Sequence, residues 1–201
     1  WKRQKFTGVE ILGKTLGLVG LGRIGASTAA KARALGMDII AYDPFVDAES
    51  LKAMELRARM TSLDEVLSQS DFVSCHLPAT AETSKLFSYE KFCQMKPSAF
   101  FINTSRGEVV DEDGLLRALQ EKKLAGAALD VRAKEPPSPS PLAEMGNVIL
   151  MPHIGAFTNE SQRRVVTAVC RDVMAVLGGG AAKYFANFSK PRSRESGVGS
   201  R

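Results

Sequence analysis

The chain has 201 residues, 44% hydrophobic and 24% charged, with a formal net charge of +5. That is enough for one domain of ordinary size plus an extension, and no apolar run approaches the ~20 residues of a membrane span. Five basic residues (Lys183, Lys190, Arg192, Arg194, Arg201) lie beyond Gly178 against Glu195 alone, so the excess charge belongs to the C-terminal end and points to no nucleic-acid face and no membrane partner.

Residues 1–13 include Trp1, Phe6, Val9, Ile11 and Leu12. They are too apolar for a free linker and predict a packing arm, a second subunit being one surface it would meet. The opening WKRQKFTGVE carries no secretion signal, and without an initial Met it reads as an interior segment. Cys75, Cys93 and Cys170 are odd in number and scattered, which predicts buried, reduced thiols and a cytoplasmic setting, with no metal-ligand spacing.

Lys14 to Asp43 reads GKTLGLVGLGRIGASTAAKARALGMDIIAYD from Gly13 onward. The apolar run 16–19 is too short for a helix and predicts a strand. Gly20, Gly22 and Gly25 follow at GxGxxG spacing, then a helical pattern over 26–35, then a second strand over 37–42 closed by Asp43. Strand, glycine turn, helix, strand and acid make the layout of a dinucleotide-binding βαβ unit. Gly20 permits the turn, Gly22 lets a pyrophosphate approach the backbone, and Gly25 brings helix and strand together. The amides of Arg23, Ile24 and Gly25 face that pyrophosphate at the positive end of the helix. Asp43 is placed to accept from an adenosine ribose, and its charge disfavours a 2′-phosphate, so the cofactor expected is NAD.

Further along, 47–55 reads as helical and 56–59 as a weak strand. Thr61, Ser62 and Asp64 suit the cap of a helix through Gln69. Strand 72–75 ends at His76-Leu77-Pro78. Helical pieces over 82–95 stop at Pro97, and strand 100–103 leads into Thr104-Ser105-Arg106-Gly107. Asp111 is expected to cap a helix through Lys122. A small-residue strand over Ala125 to Val131 ends at Asp130, the prolines after Glu135 impose a non-helical loop, and strand 148–151 ends at Pro152-His153. A periodic helix covers 158–177, and Gly178-Gly179-Gly180 opens a flexible tail.

Strands alternating with helices in this way predict an α/β fold with a doubly wound parallel sheet. The expected units are a packing arm 1–13, a Rossmann-type cofactor domain 14–156, a C-terminal helix 157–178 and a basic tail 179–201. Ligands bind such sheets at the strand C-terminal ends, where Asp43, His76, Arg106, Asp130 and His153 all fall.

His153 is one of two histidines, and its imidazole suits the exchange of a hydroxyl proton beside a hydride-accepting cofactor. Glu135, in the proline-braced loop, would fix the imidazole tautomer. Arg106 offers a planar fork for a substrate carboxylate. Taken singly, each has an ordinary reading as a solvated charge or a backbone-bonded histidine. His76 reads as structural or as lying beside an adenine.

The stretches GKTLGLVGLGRIG, CHLPATAET, FFINTSRGEVVDEDGLLRAL, AGAALDVRAKEP and MPHIGAFTNE resemble the D-isomer-specific 2-hydroxyacid dehydrogenases, most closely their phosphoglycerate dehydrogenase-like branch. The resemblance runs from Trp1 to the late 180s. It implies that Arg106, Glu135 and His153 are the catalytic set. It also implies cofactor contacts from Arg23, Ile24, Asp43, Leu77, Pro78, Thr83, Thr104, Ser105, Arg106, Asp130, His153 and Gly155, and a homodimer through the cofactor domain. A substrate-binding half-domain, which would take the 2-hydroxy or 2-oxo acid, is expected ahead of this segment and is not among the 201 residues. Arg132-Ala133 departs from the bulkier apolar or acidic residues common before the Lys-Glu-Pro. The alternative reading is a non-catalytic NAD(H)-binding dimerisation or corepressor-like module, or an inactive fragment.

Overall fold

Apolar runs of three to five residues pair side by side when turns and helices return the chain in one direction. The computed structural model describes residues 8–47 and 51–184. In order, they form β1 (Thr15–Val19), α1 (Arg23–Ala34), β2 (Asp38–Tyr42), α2 (Leu51–Leu56), β3 (Arg59–Met60), α3 (Leu63–Gln69), β4 (Phe72–Cys75), α4 (Tyr89–Cys93), β5 (Phe100–Asn103), α5 (Glu112–Gln120), β6 (Gly126–Leu129), β7 (Val148–Leu150) and α6 (Asn159–Leu177). Short 3₁₀ turns occupy Gly107–Val109 and Pro141–Glu144. The chain divides after His153 into two compact units.

In the first unit the seven strands form one sheet in the order β3-β2-β1-β4-β5-β6-β7, and every pairing is parallel. The order reverses between β1 and β4, which opens a crevice at their C-terminal ends. Alternation along the strands divides the core between the two faces. Leu16, Leu18, Ile39 and Ala41 join Ala29 and Ala32 of α1 on one face. Val19, Ile40, Val73 and Phe101 join Val66, Phe92, Leu115 and Ala118 on the other. Phe101 lies 4.7 Å from Phe87 and edge-on to Phe92 at 5.1 Å.

Several expectations shift. Helix α2 is described over Leu51–Leu56 and Asp47 is not helical, with 48–50 outside the described residues. Residues 81–85 form a turn rather than a helical piece, and Lys85 takes φ +51°. Phe87 then bridges to Val110, so helix is confined to 89–93. Ser62 is the residue that caps α3, accepting the Glu65 N–H at 3.2 Å. Asp111 occupies the N-cap position of α5 without a capping bond from its side chain, and its carboxylate faces Lys85 at 3.8 Å. That helix ends at Gln120, and Lys122 adopts φ +57°. Of the three thiols, only Cys75 is buried; Cys93 and Cys170 are exposed, and all three are unpaired. In the arm, Val9 and Leu12 are exposed, and Trp1 to Thr7 lie outside the described residues.

The second unit is dominated by α6, capped by Thr158 through the Ser161 N–H at 3.1 Å. It has no buried residue. Gly178 to Gly180 close its end through N–H bonds to Met174, Val176 and Ala175 carbonyls, and Asp172 accepts the Lys183 and Tyr184 N–H groups. The expected tail from 185 on lies outside the described residues.

Candidate active site

The glycine turn has the geometry that a pyrophosphate cradle requires. Gly20 takes φ +97°, and a Cβ there would stand 2.8 Å from the His76 carbonyl oxygen. At Gly25 a Cβ would lie 2.2 Å from the Gly20 oxygen, whereas at Gly22 it would meet no atom within 4 Å. Helix α1 has no side-chain cap, and its first hydrogen bond runs from Ala26 N–H to the Gly22 carbonyl at 2.9 Å. The Arg23, Ile24 and Gly25 amides therefore precede the helical ladder, where an anion can take them. Open space over Gly22, uncapped amides and a nearby carboxylate fit a dinucleotide. Asp43 has a role the sequence did not announce: Oδ2 accepts the Leu21 N–H at 2.7 Å and Oδ1 the Phe45 N–H at 2.9 Å. Each oxygen retains a further lone pair for a ribose hydroxyl.

The ends of β4 and β5 add the next residues. His76 Nε2 lies 3.0 Å from Ser74 Oγ, Nδ1 is buried with no partner, and desolvation pushes the ring down to about 4. It lines a cavity with Leu16, Thr28 and Phe72. Leu77 is half-buried and Pro78 exposed. Thr83 ties their loop by donating to the Pro78 carbonyl at 2.6 Å. After β5, buried Asn103 organises the turn that follows. Its Oδ1 accepts from Ser105 N–H at 3.0 Å and Ser105 Oγ at 2.8 Å, and its Nδ2 donates to the Arg106 carbonyl at 2.8 Å. Thr104 and Arg106 are exposed beside it. Asn103 was not among the expected site residues, although an Asn closing a strand ahead of Ser is a turn signal.

Beyond β6, buried Asp130 accepts the His153 N–H through its carbonyl at 2.7 Å. Glu135 Oε2 meets His153 Nδ1 at 2.8 Å, and its Oε1 accepts the Arg132 N–H at 3.0 Å. The His153 contact, then the Arg132 N–H, hold the Glu135 carboxyl below the usual glutamate range. Against an ionised Glu135 only an Nδ1–H can donate, which leaves the Nε2 of a neutral ring as the acceptor. Arg106, Glu135 and His153 line one cavity of about 170 Å³. A second cavity, of about 610 Å³, also reaches Glu135 and His153 and is walled by Pro136, Pro137, Leu150 and Pro152. The three residues proposed as a set from sequence thus meet in space. Gly155 belongs to the second unit. Among the described residues no group of His, Cys, Asp or Glu could hold a metal ion, and no helix is long and apolar enough to cross a membrane.

Comparison with known proteins agrees with this geometry. Residues 1–155 match the D-isomer specific 2-hydroxyacid dehydrogenase, NAD binding domain. The chain is 44% identical to D-3-phosphoglycerate dehydrogenase from Synechocystis over 187 residues, which are 93% of this chain and 33% of that protein. It is 40% identical to the Methanocaldococcus jannaschii D-3-phosphoglycerate dehydrogenase, covering 93% of this chain and 36% of that one. The chain thus spans about a third of the length of these curated relatives. Among solved structures, D-lactate dehydrogenase with NAD+ from Lactobacillus jensenii superposes with a TM-score of 0.81 at 32% identity, covering 91% of this chain and 58% of that one. The holo D-mandelate dehydrogenase of Rhodotorula graminis gives 0.85 at 32% identity, covering 94% and 56%. The chain belongs to the D-isomer-specific 2-hydroxyacid dehydrogenases, and it carries their NAD-binding domain.

Proposed function

We propose that the chain is the cofactor-binding part of an oxidoreductase that interconverts a D-2-hydroxy acid and its 2-oxo acid, acting on the CH–OH group. The observation that carries this reading is the Glu135–His153 pair at 2.8 Å in the same cavity as Arg106. Gly22, the amides of Arg23 and Ile24, and Asp43 would hold NAD+, which when bound would supply the acceptor for the hydride from C2. His153 Nε2 takes the hydroxyl proton as that hydride leaves and returns it in the reverse direction. Glu135 holds the tautomer and stabilises the ring while it carries the proton. Arg106, braced by Nη1 on the Ser105 carbonyl at 2.7 Å, presents its remaining donors to the substrate carboxylate. Leu77, Pro78, Thr83, Thr104, Ser105 and Asp130 complete the proposed cofactor contacts.

A homodimer through the cofactor domain accounts for the exposed Val9 and Leu12 of the arm, and three unpaired thiols suit the cytoplasm. The test is an NADH fluorescence titration of the 201-residue chain, repeated with Asp43→Ala, alongside a turnover screen of 2-oxo acids. Saturable binding weakened by the substitution supports the cofactor site. A folded chain that does not bind NADH overturns it.

A further inference from the structure

Glu112 and Arg132 form the most enclosed ion pair among the described residues, with side chains 23% and 8% exposed. Glu112 lies in the first turn of α5, and Arg132 lies twenty residues later, beyond the end of β6. Arg132 Nε donates to Glu112 Oε1 at 3.0 Å and Nη2 to Oε2 at 2.6 Å. Such a two-pronged fit fixes orientation as well as distance. The Ala133 N–H also donates to Oε1, at 2.9 Å. The Arg132 contact is the leading cause that holds the Glu112 carboxyl below the glutamate range.

These contacts pin the peptide between Arg132 and Ala133, which touches both arms of the proposed catalytic set. On one side it abuts Gly107, where a Cβ would stand 2.0 Å from the Arg132 carbonyl carbon, so the turn that carries Arg106 is seated directly on it. At its start, the Arg132 N–H donates to Glu135 Oε1 at 3.0 Å, while Oε2 of the same carboxylate faces His153 at 2.8 Å. An enclosed ion pair is an inefficient source of net stability, because desolvation offsets most of the attraction. Its directional contacts, by contrast, can specify a loop geometry that an apolar contact of the same volume would leave loose.

We propose that Glu112 and Arg132 are positioning residues that lock the loop after β6 onto α5, thereby aiming Glu135 at His153 and seating the Arg106 turn beside them. The inference rests on the acid–base roles proposed for Glu135 and His153. Neither Glu112 nor Arg132 needs to touch substrate or cofactor. They act through the peptide that both arms of the site share.

The test uses the 201-residue chain and its Arg132→Met, Arg132→Lys and Glu112→Gln variants. The Glu135 carboxyl carbon is followed by NMR across pH, its signal assigned with Glu135→Gln, and thermal melting and NADH titration are run in parallel. In Arg132→Met and Glu112→Gln the Glu135 midpoint should rise toward the ordinary glutamate value. The double substitution should shift it no further than either single one, because both remove one link. Arg132→Lys keeps the charge without the fork and should recover part of the wild-type midpoint.

If the folded variants melt earlier while Glu135 titrates as in the wild type, the pair is only a structural clasp and the proposal fails. Should Arg132→Met not fold, a wild-type Glu135 midpoint in both Arg132→Lys and Glu112→Gln overturns it equally. A folded wild-type chain that binds no NADH would remove the cofactor reading, while the Glu135 midpoint would still decide for or against the brace.

Discussion

Glu135 and His153 are eighteen residues apart and meet through Oε2 and Nδ1 at 2.8 Å, with the His153 backbone in the left-handed region at φ +56°. A non-glycine residue held there costs on the order of 1–3 kcal/mol. The His153 N–H bond to the Asp130 carbonyl, at 2.7 Å, helps to hold it there. The His153 backbone is thus held at the end of β6 through the Asp130 carbonyl, and its ring by Glu135. Strain concentrated at this position fits a residue whose orientation matters more than its contribution to folding.

If His153 moves the hydroxyl proton, its chemistry and cofactor affinity separate. His153→Gln should lower 2-oxo acid turnover by about 10²–10⁴-fold and leave the NADH dissociation constant unchanged. Glu135→Gln should lower turnover less, because the ring keeps a hydrogen-bonding neighbour but loses the charge that favours its protonated form. Steady-state kinetics and fluorescence titration on the same preparations measure both. Equal losses in turnover and binding would remove the assigned role.

The two inner glycines of the turn should fail differently. Gly25→Ala drives a Cβ to 2.2 Å from the Gly20 carbonyl oxygen, and this backbone atom cannot yield, so the variant should melt early. Gly22→Ala meets no protein atom within 4 Å, and the backbone at Gly22, φ −67°, suits alanine. It should keep wild-type stability while losing NADH binding, because the methyl group fills space assigned to the pyrophosphate. Melting curves with and without NADH separate the two.

Much of this was legible from spacing. Gly20, Gly22, Gly25 and Asp43 fall on the parts of one βαβ unit because the chain between them is just long enough for a strand, a helix and a second strand. His153 and Arg106 could be placed just beyond strand ends because apolar runs stop within a few residues before them. The Glu112–Arg132 contact was not legible: one charge reads as an ordinary first-turn acid and the other as an odd residue before Lys-Glu-Pro. Their meeting depends on β5 and β6 lying side by side. The turn at 81–85 departs from the helical pieces expected over 82–95 for a similar reason. Its helix-compatible residues are overridden by the Phe87 bridge to Val110, a pairing across more than twenty residues.

Gly107 provides a test of packing beside Arg106. Its Cβ would meet three backbone atoms, the Arg132 C and O and the Ala133 N, at 2.0, 2.1 and 2.3 Å. Gly107→Ala should therefore destabilise by about 1–3 kcal/mol or more, as overpacked sites do. Gly146→Ala is the control, because a Cβ there meets nothing within 4 Å, and it should be neutral or stabilising by about 0.4–1 kcal/mol. Urea unfolding of the two variants reads the difference. Equal midpoints would mean that the 132–133 peptide gives way easily and does not hold the turn.

His76 makes stability depend on pH in a definite direction. Desolvation lowers its pKa from 6.5 to about 4 in the folded chain. Between those values the unfolded chain holds a proton on this ring and the folded chain does not, so stability rises with pH across that interval. The contribution is fully present above pH 6.5, is lost as pH falls toward about 4, and changes no further below it. With one pKa unit worth about 1.4 kcal/mol, the whole interval amounts to roughly 3 kcal/mol. Other groups also titrate as the pH falls, so the wild type alone cannot isolate this proton. His76→Gln can, because its amide can still donate to Ser74 Oγ, the partner His76 Nε2 meets at 3.0 Å, but carries no titrating proton. Its urea midpoint should therefore fall less than that of the wild type between pH 6.5 and about 4. Parallel curves for the two proteins would mean that the ring titrates at its ordinary value and that its environment, including the partnerless Nδ1, is open to water.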